Sequence, residues 1–231
     1  MWFVTSWLLA ASFTASVVAA AQPTMESMPC ADWTTRFHQR LTPTTAPETL
    51  VHLLASHKGL GFATPFAEEK RITVLRQPLM STGQLIFLPT QGLYRQVQKP
   101  FTQELLITSE AIRQRSPYGG TKVLDLDKLP VARAFVGAFL ALFAGSWDAL
   151  HNHFEVYFTQ DQQQWQLGLK PINEAMAQLI SCLVLEGEQA QLVALWVQET
   201  NGDVTHDQFL DPHLVPETHW GDYQAQFDWA R

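Results

Sequence analysis

Charge is scarce in this sequence. Only 16% of its 231 residues are Asp, Glu, Lys or Arg, and 15 basic residues stand against 22 acidic ones, a formal net charge of −7. No block of Lys or Arg occurs, so the chain lacks the basic surface that holds nucleic acid. Cysteine is scarcer still, with Cys30 and Cys182 alone. Neither has a His partner in its neighbourhood, which removes the common thiol nucleophile. No Gly-x-Ser-x-Gly elbow is present, and residues 118–122, YGGTK, lack the spacing of a phosphate-binding loop. Strand and helix patterns do not alternate, which excludes a doubly wound α/β fold. No internal repeat or low-complexity tract stands out.

What the chain has is apolar material. Hydrophobic residues make up 46% of it, enough for a substantial core and too much for disorder. Residues 1–21, MWFVTSWLLAASFTASVVAAA, carry no charged side chain, and their apolar run ends in three alanines. This pattern predicts a cleavable secretory signal peptide. An uncleaved anchor would want about 20 uninterrupted apolar residues, and no Cys sits at the cleavage point to make a lipoprotein. Residues 22–231 are then expected to form a single domain. In an exported compartment Cys30 and Cys182 can pair. Cys182, within LISCLVLEG, can equally be a small buried hydrophobe, and spacing leaves both readings open.

The periodicity divides the rest. Residues 46–57 predict a helix, with Thr45 as cap and Leu50, Leu53 and Leu54 on one stripe. A second, greasier helix is predicted over 129–145, LPVARAFVGAFLALFAG, where Val131, Phe135, Phe139, Leu142 and Phe143 share a face. Such a helix must be covered on most sides, by a sheet or by a ligand. Strand patterns occupy 66–75, 84–88, 93–99, 103–112, 152–159, 164–170, 179–186, 191–199 and 204–210, separated by Pro, Gly and Asn turns. Asp32 is expected to cap a short helix over 32–41, and the tail after Asp211 is read as extended or weakly ordered.

Residues 66–87, FAEEKRITVLRQPLMSTGQLIF, mix charge with grease. Glu68 and Glu69 are adjacent, so on a strand they face opposite sides and form no acid–base pair. Glu68 and Lys70 are expected as a solvated pair near the rim, with Ile72, Leu85 and Phe87 starting an apolar wall. His151 and His153, with Asp148 nearby, are a candidate zinc or copper pair if they alternate on a strand, and His206, Asp207, Asp211 and His213 could add ligands. Structural histidines at a helix exit are the preferred reading, and no metal is expected.

An ordered series of residues then carries a resemblance. It runs Phe66-x-Glu68-x-Lys70, Leu75-x-x-Pro78-Leu79-x-Ser81-x-Gly83-x-Leu85-x-Phe87, Leu93-Tyr94-Arg95 and Lys99-Pro100. It continues with Trp165-x-Leu167-x-Leu169-x-Pro171, Leu183-x-Leu185-x-Gly187 and Glu199-Thr200-Asn201-Gly202-Asp203-x-Thr205. Over about residues 47–210, behind a leader, this series resembles the LolA-like family, relatives of the periplasmic outer-membrane lipoprotein carrier. The resemblance implies a mainly β fold with helices (α+β), an incomplete, strongly curved antiparallel β-barrel covered by α-helices. It implies a monomeric periplasmic carrier without catalysis or cofactor. Its cargo would be lipoprotein acyl chains or another lipid, passed from an inner-membrane release complex to an outer-membrane acceptor. On this reading Phe66, Ile72, Leu85, Phe87, Leu93, Trp165, Leu167, Leu183 and Leu185 line the apolar cavity, and Phe135, Phe139 and Phe143 form the lid. One departure concerns the basic residue that the carriers place directly before a Pro and that helps hold the lid shut. Here Leu88-Pro89 stands at that place, and the nearest bases are Arg95 and Lys99. The rivals are a partner-binding module of an envelope assembly complex and a metal-dependent enzyme using His151 and His153.

Overall fold

The computed structural model describes residues 29–31, 33–42 and 45–229. The leader 1–21, the first residues after it and the Asp32 cap lie outside the described residues. In chain order the elements are α1 (Trp33–Arg36), β1 (Arg40–Leu41), α2 (Glu48–His57), β2 (Gly61–Arg71), β3 (Leu79–Leu88), β4 (Gly92–Lys99), β5 (Gln103–Ile107), β6 (Ala111–Ser116) and β7 (Gly120–Asp125). There follow α3 (Pro130–Phe143), α4 (Trp147–His153), β8 (Phe154–Asp161), β9 (Gln164–Pro171), α5 (Glu174–Ala177), β10 (Ile180–Glu188), β11 (Gln191–Glu199), β12 (Val204–Phe209), β13 (His213–Val215) and α6 (Gln224–Asp228).

The strands build one antiparallel sheet in the order β1-β8-β9-β10-β11-β12-β2-β3-β4-β5-β6-β7, with β13 added to β2. Its end strands, β1 and β7, do not pair with each other, so the barrel stays open. Alternation along each strand gives the sheet two faces. One face carries a single continuous apolar cluster, from Phe154 and Val156 on β8 to Phe87 and Leu93 on β3 and β4. Arg95 on β4 reaches Asp207 on β12 across β2 and β3, strands that a flat sheet would hold about 14 Å apart, so the sheet curves around this face and makes it concave. Helices α2, α3 and α4 cover it through Leu50, Leu53, Leu54, Phe143 and Leu150.

The opposite face is split into two smaller clusters. Cys30 is disulfide-bonded to Cys182, which settles the question that spacing left open. The bond pins the N-terminal segment to the sheet, where Trp33 and Phe37 pack with Val184. The second cluster, Ala63, Ile86, Leu88, Tyr94 and Leu106, is covered by Val215 and Phe227 of the tail, with Trp220, Tyr223 and Trp229 around them. The tail is therefore a folded cover rather than a loose end. It adds β13, a 3₁₀ segment over Glu217–Tyr223, and α6. No described helix is long and apolar enough to cross a membrane.

Several local expectations change. Strand β2 begins at Gly61 and stops at Arg71, because the backbone N–H and hydroxyl of Thr73 both donate to Asp203 Oδ1 and draw the chain into a turn. The run 103–112 is two strands, folded at Thr108, whose hydroxyl accepts from the backbone N–H of Glu110 and Ala111. Strand β7 lacks the alternating hydrophobic signal, since most of its residues are exposed at the sheet edge. Pro47 rather than Thr45 takes the N-cap position of α2, since the Thr45 hydroxyl accepts from the backbone N–H of Thr42. The stripe of Leu50, Leu53 and Leu54 is buried as its spacing predicts.

Candidate functional site

The concave face and its helical cover form the candidate site. On β2, Phe62 and Phe66 share parity and point inward, and Leu85, Phe87 and Leu93 do the same on β3 and β4. Trp165 and Leu167 on β9 and Leu183 and Leu185 on β10 complete the far wall. Eight of the nine wall residues named from the sequence thus meet in one cluster, together with Phe143 of the predicted lid. Ile72 does not join them. It lies past the end of β2, half-buried, in a turn where its carbonyl accepts from the N–H of Leu75. Phe135 and Phe139 fall within α3, but their side chains lie outside the described ones.

Close approach builds the far wall. The Trp165 indole lies over Gly187, where an added Cβ would come within 1.9 Å of the ring, and its Nε1–H donates to the carbonyl of Gln189 at 2.9 Å. The cover is placed by α3. Pro130 fits the first turn of that helix, and alanines and leucines favour its body. Gly145 ends it at φ +64, with its Cα so close to α2 that a Cβ would meet the Leu54 carbonyl oxygen at 2.5 Å. The helix thereby delivers Phe143 between the rings of Phe62 and Phe87, at 6.0 and 5.8 Å between centroids. Phe62 in turn meets Phe209 edge-on at 5.7 Å. Burying one such ring is worth about 1.5–3 kcal/mol, so Phe143 ties α3 to the apolar wall.

The same inward parity becomes charged further along β2. Arg95 donates to Glu68 Oε2 at 2.6 Å and to Asp207 Oδ1 at 3.3 Å, and its guanidinium sits 4.1 Å over the Phe66 ring. Ser81 donates to the other Glu68 oxygen. Lys70 pairs with Glu199 at 3.3 Å with both side chains nearly buried, and Glu199 Oε2 finds no hydrogen-bond partner among the described residues. Burial raises the Asp207 carboxyl to about 6 against the pull of Arg95, and pushes Glu199 up against Lys70. The expected solvated Glu68–Lys70 pair is therefore corrected. Parity put both on one side, but that side is the inside, and each is tied to a partner from another strand. Glu69 faces out and accepts from Arg71. Arg95 is thus held inside the sheet, whereas Lys99 is exposed at the end of β4.

The histidines do not converge. His151 and His153 both lie in α4, not on a strand, and residues two apart on a helix point in different directions. His151 stacks edge-on against Trp147 at 4.3 Å, and burial lowers its pKa. His206 lies flat against Trp196 on the outer face, 3.6 Å between centroids. Among the described residues no three His, Cys, Asp or Glu side chains gather as a metal site.

Two clefts open beside the covered face. One, of about 330 Å³, lies between α2 and the sheet at Leu53, Phe158 and Trp165. The other, of about 480 Å³, lies where α3 meets the β3–β4 and β5–β6 turns, and Phe87 and Leu140 form part of its wall. Sequence patterns gave no sign of either, since turn residues line both and Phe227 of the C-terminal tail lines the larger.

Residues 48–210 match the family model described as outer membrane lipoprotein carrier protein LolA-like. No curated protein sequence matches the chain. Similar solved structures include a LolA superfamily protein from Nitrosomonas europaea, at 9% identity and a TM-score of 0.40 over 74% of this chain and 96% of that one. Another is a putative outer membrane lipoprotein-sorting protein domain from Vibrio parahaemolyticus, at 7% identity and a TM-score of 0.40 over 77% and 97%. A third is the MucA/MucB complex of Pseudomonas aeruginosa, at 11% identity and a TM-score of 0.42 over 75% of this chain and 59% of that one.

Proposed function

The chain belongs to the LolA-like family of outer membrane lipoprotein carrier proteins, and from that premise we propose that it is a monomeric periplasmic carrier of an apolar, acylated cargo. The observation that carries this reading is Phe143, a helix side chain seated between Phe62 and Phe87 in a concave apolar wall. Each methylene of a guest chain buried there contributes about 0.8 kcal/mol, so an acyl chain can replace the helix face at no net loss of apolar burial. Loading then consists of α3 giving way to cargo along the wall of Phe66, Leu85, Phe87, Leu93, Trp165, Leu167, Leu183 and Leu185. The charged set of Arg95, Glu68 and Asp207 limits how far along β2 the chain can run. Export by the leader 1–21 would bring the protein into an oxidising compartment, which the Cys30–Cys182 bond suits. An inner-membrane release complex and an outer-membrane acceptor are the partners such transport requires.

Protein recovered from a periplasm tests this directly by native mass spectrometry and lipid extraction. Stoichiometric acylated cargo is expected. Cargo-free protein that also fails to bind a fluorescent fatty-acid probe would contradict the reading and leave the partner-binding module in its place.

A further inference from the structure

The larger cleft offers more than apolar surface. Its volume of about 480 Å³ is in the range that holds a small ligand. Leu140 of α3, Ala144 just past its end and Phe87 line it from the inner side of the sheet, and Leu106 lines it from the outer side. Phe87 also belongs to the core against which Phe143 packs, so the cleft borders the covered face.

Gln91, Glu110 and Arg113 bring polar groups to this cleft. Gln91 lines it, and its amide orientation is fixed by its neighbours. Gln224 Nε2 donates to Asp228 Oδ1 at 2.7 Å, so Gln224 Oε1 must accept from Gln91 Nε2, at 2.9 Å. That leaves Gln91 Oε1 buried without a donor, a state that polar groups in folded proteins rarely keep. Arg113 lines the same cleft, half-buried, and its guanidinium makes no ion pair or hydrogen bond among the described residues. Arg115, two residues along the same face, is by contrast paired with Glu104 at 2.6 Å and stacked on Trp229 at 4.5 Å. The exposed carboxylate of Glu110 completes the lining with the opposite sign.

We propose that this cleft binds the head group of the cargo, and that the cargo is an amphiphile with a zwitterionic phosphoamine head. The phosphate pairs with Arg113, whose guanidinium suits phosphate oxygens. The ammonium meets the exposed carboxylate of Glu110. The acyl chain leaves along Phe87 and Leu140 toward the covered face. This inference rests on the carrier reading and names the chemistry of what is carried.

The test uses four ligands and calorimetric titration below micelle-forming concentrations. Three share one acyl chain: a lysophosphatidylethanolamine, the matching lysophosphatidic acid and the matching monoacylglycerol. The fourth is free phosphoethanolamine. A charge-assisted contact predicts that the zwitterionic lysolipid binds about tenfold or more tighter than the monoacylglycerol, and that the free head group gives no measurable heat. Arg113→Gln should bring the lysolipid down to the monoacylglycerol level while leaving the latter unchanged. Glu110→Gln, at an exposed position, should remove the preference for the zwitterion over the phosphate monoester. Equal binding of lysolipid and monoacylglycerol, or an undiminished preference in Arg113→Gln, overturns the head-group site and leaves the carrier reading standing. Preference for the phosphate monoester in the native protein overturns the zwitterionic assignment. Binding of free phosphoethanolamine as tight as the lysolipid's makes the cleft a site for a soluble metabolite and overturns the cargo assignment. If no acylated ligand binds, the carrier reading fails and this inference fails with it.

Discussion

Asp207 is a carboxyl whose burial outweighs the attraction of Arg95, so its pKa rises from 3.8 to about 6. Between those values the folded protein holds a proton that the unfolded chain releases. Stability from this group is therefore present at low pH and is lost as pH rises through about 4 to 6. Asp207→Asn keeps the shape without the charge. It is expected to stabilise the protein at pH 7 on the order of 1–3 kcal/mol, with the gain vanishing below pH 4, read from urea unfolding at both values. Arg95→Met has the opposite sign. It strands Glu68 and Asp207 inside the sheet and should cost about 3–5 kcal/mol at pH 7, less once the carboxyls are protonated in acid. Parity alone placed Glu68 and Lys70 on one side of their strand. It could not show that this side is the interior, because Arg95, Asp207 and Glu199 reach it from β4, β12 and β11, far away in sequence. The wall residues were legible for the complementary reason, that alternating large hydrophobics on a strand have only one face to share. Ile72 kept the parity and lost the position, because Asp203 ends the strand before it.

At the scale of elements, the internal strands other than β6 and both long helices could be read from period and turn residues. The C-terminal tail could not. Trp220, Phe227 and Trp229 follow no helical or strand period, since what orders them is the outer surface of β2 to β5 rather than a pattern of their own. Phe227, only 2% exposed, is the anchor of this cover. Phe227→Ala should cost about 3–5 kcal/mol in denaturant unfolding, whereas a loose tail would make the change neutral. The N-terminal cover is held covalently instead. A disulfide joining residues 152 apart in sequence restricts the unfolded chain strongly, and Cys30→Ser should lose about 2–4 kcal/mol. Neither cover packs in the apolar cluster of the concave face.

For the whole molecule, the open sheet has each face occupied by a different kind of lining. The outer face is closed by a disulfide-anchored segment and by the tail. The inner face is closed by α2, α3 and α4, whose contribution to the wall includes a single ring seated between two others. The period of α3 showed that it must be covered, and its sequence left open whether sheet or cargo covers it. In the described structure the sheet meets it, with Phe143 seated between Phe62 and Phe87. The most direct test of exchange between helix and cargo is amide hydrogen exchange across α3, measured with and without a saturating fatty-acid probe. Loading should strip protection from the helix while β9, β10 and β11 keep theirs. A protein that binds the probe stoichiometrically with protection of α3 unchanged would contradict the exchange of helix for cargo.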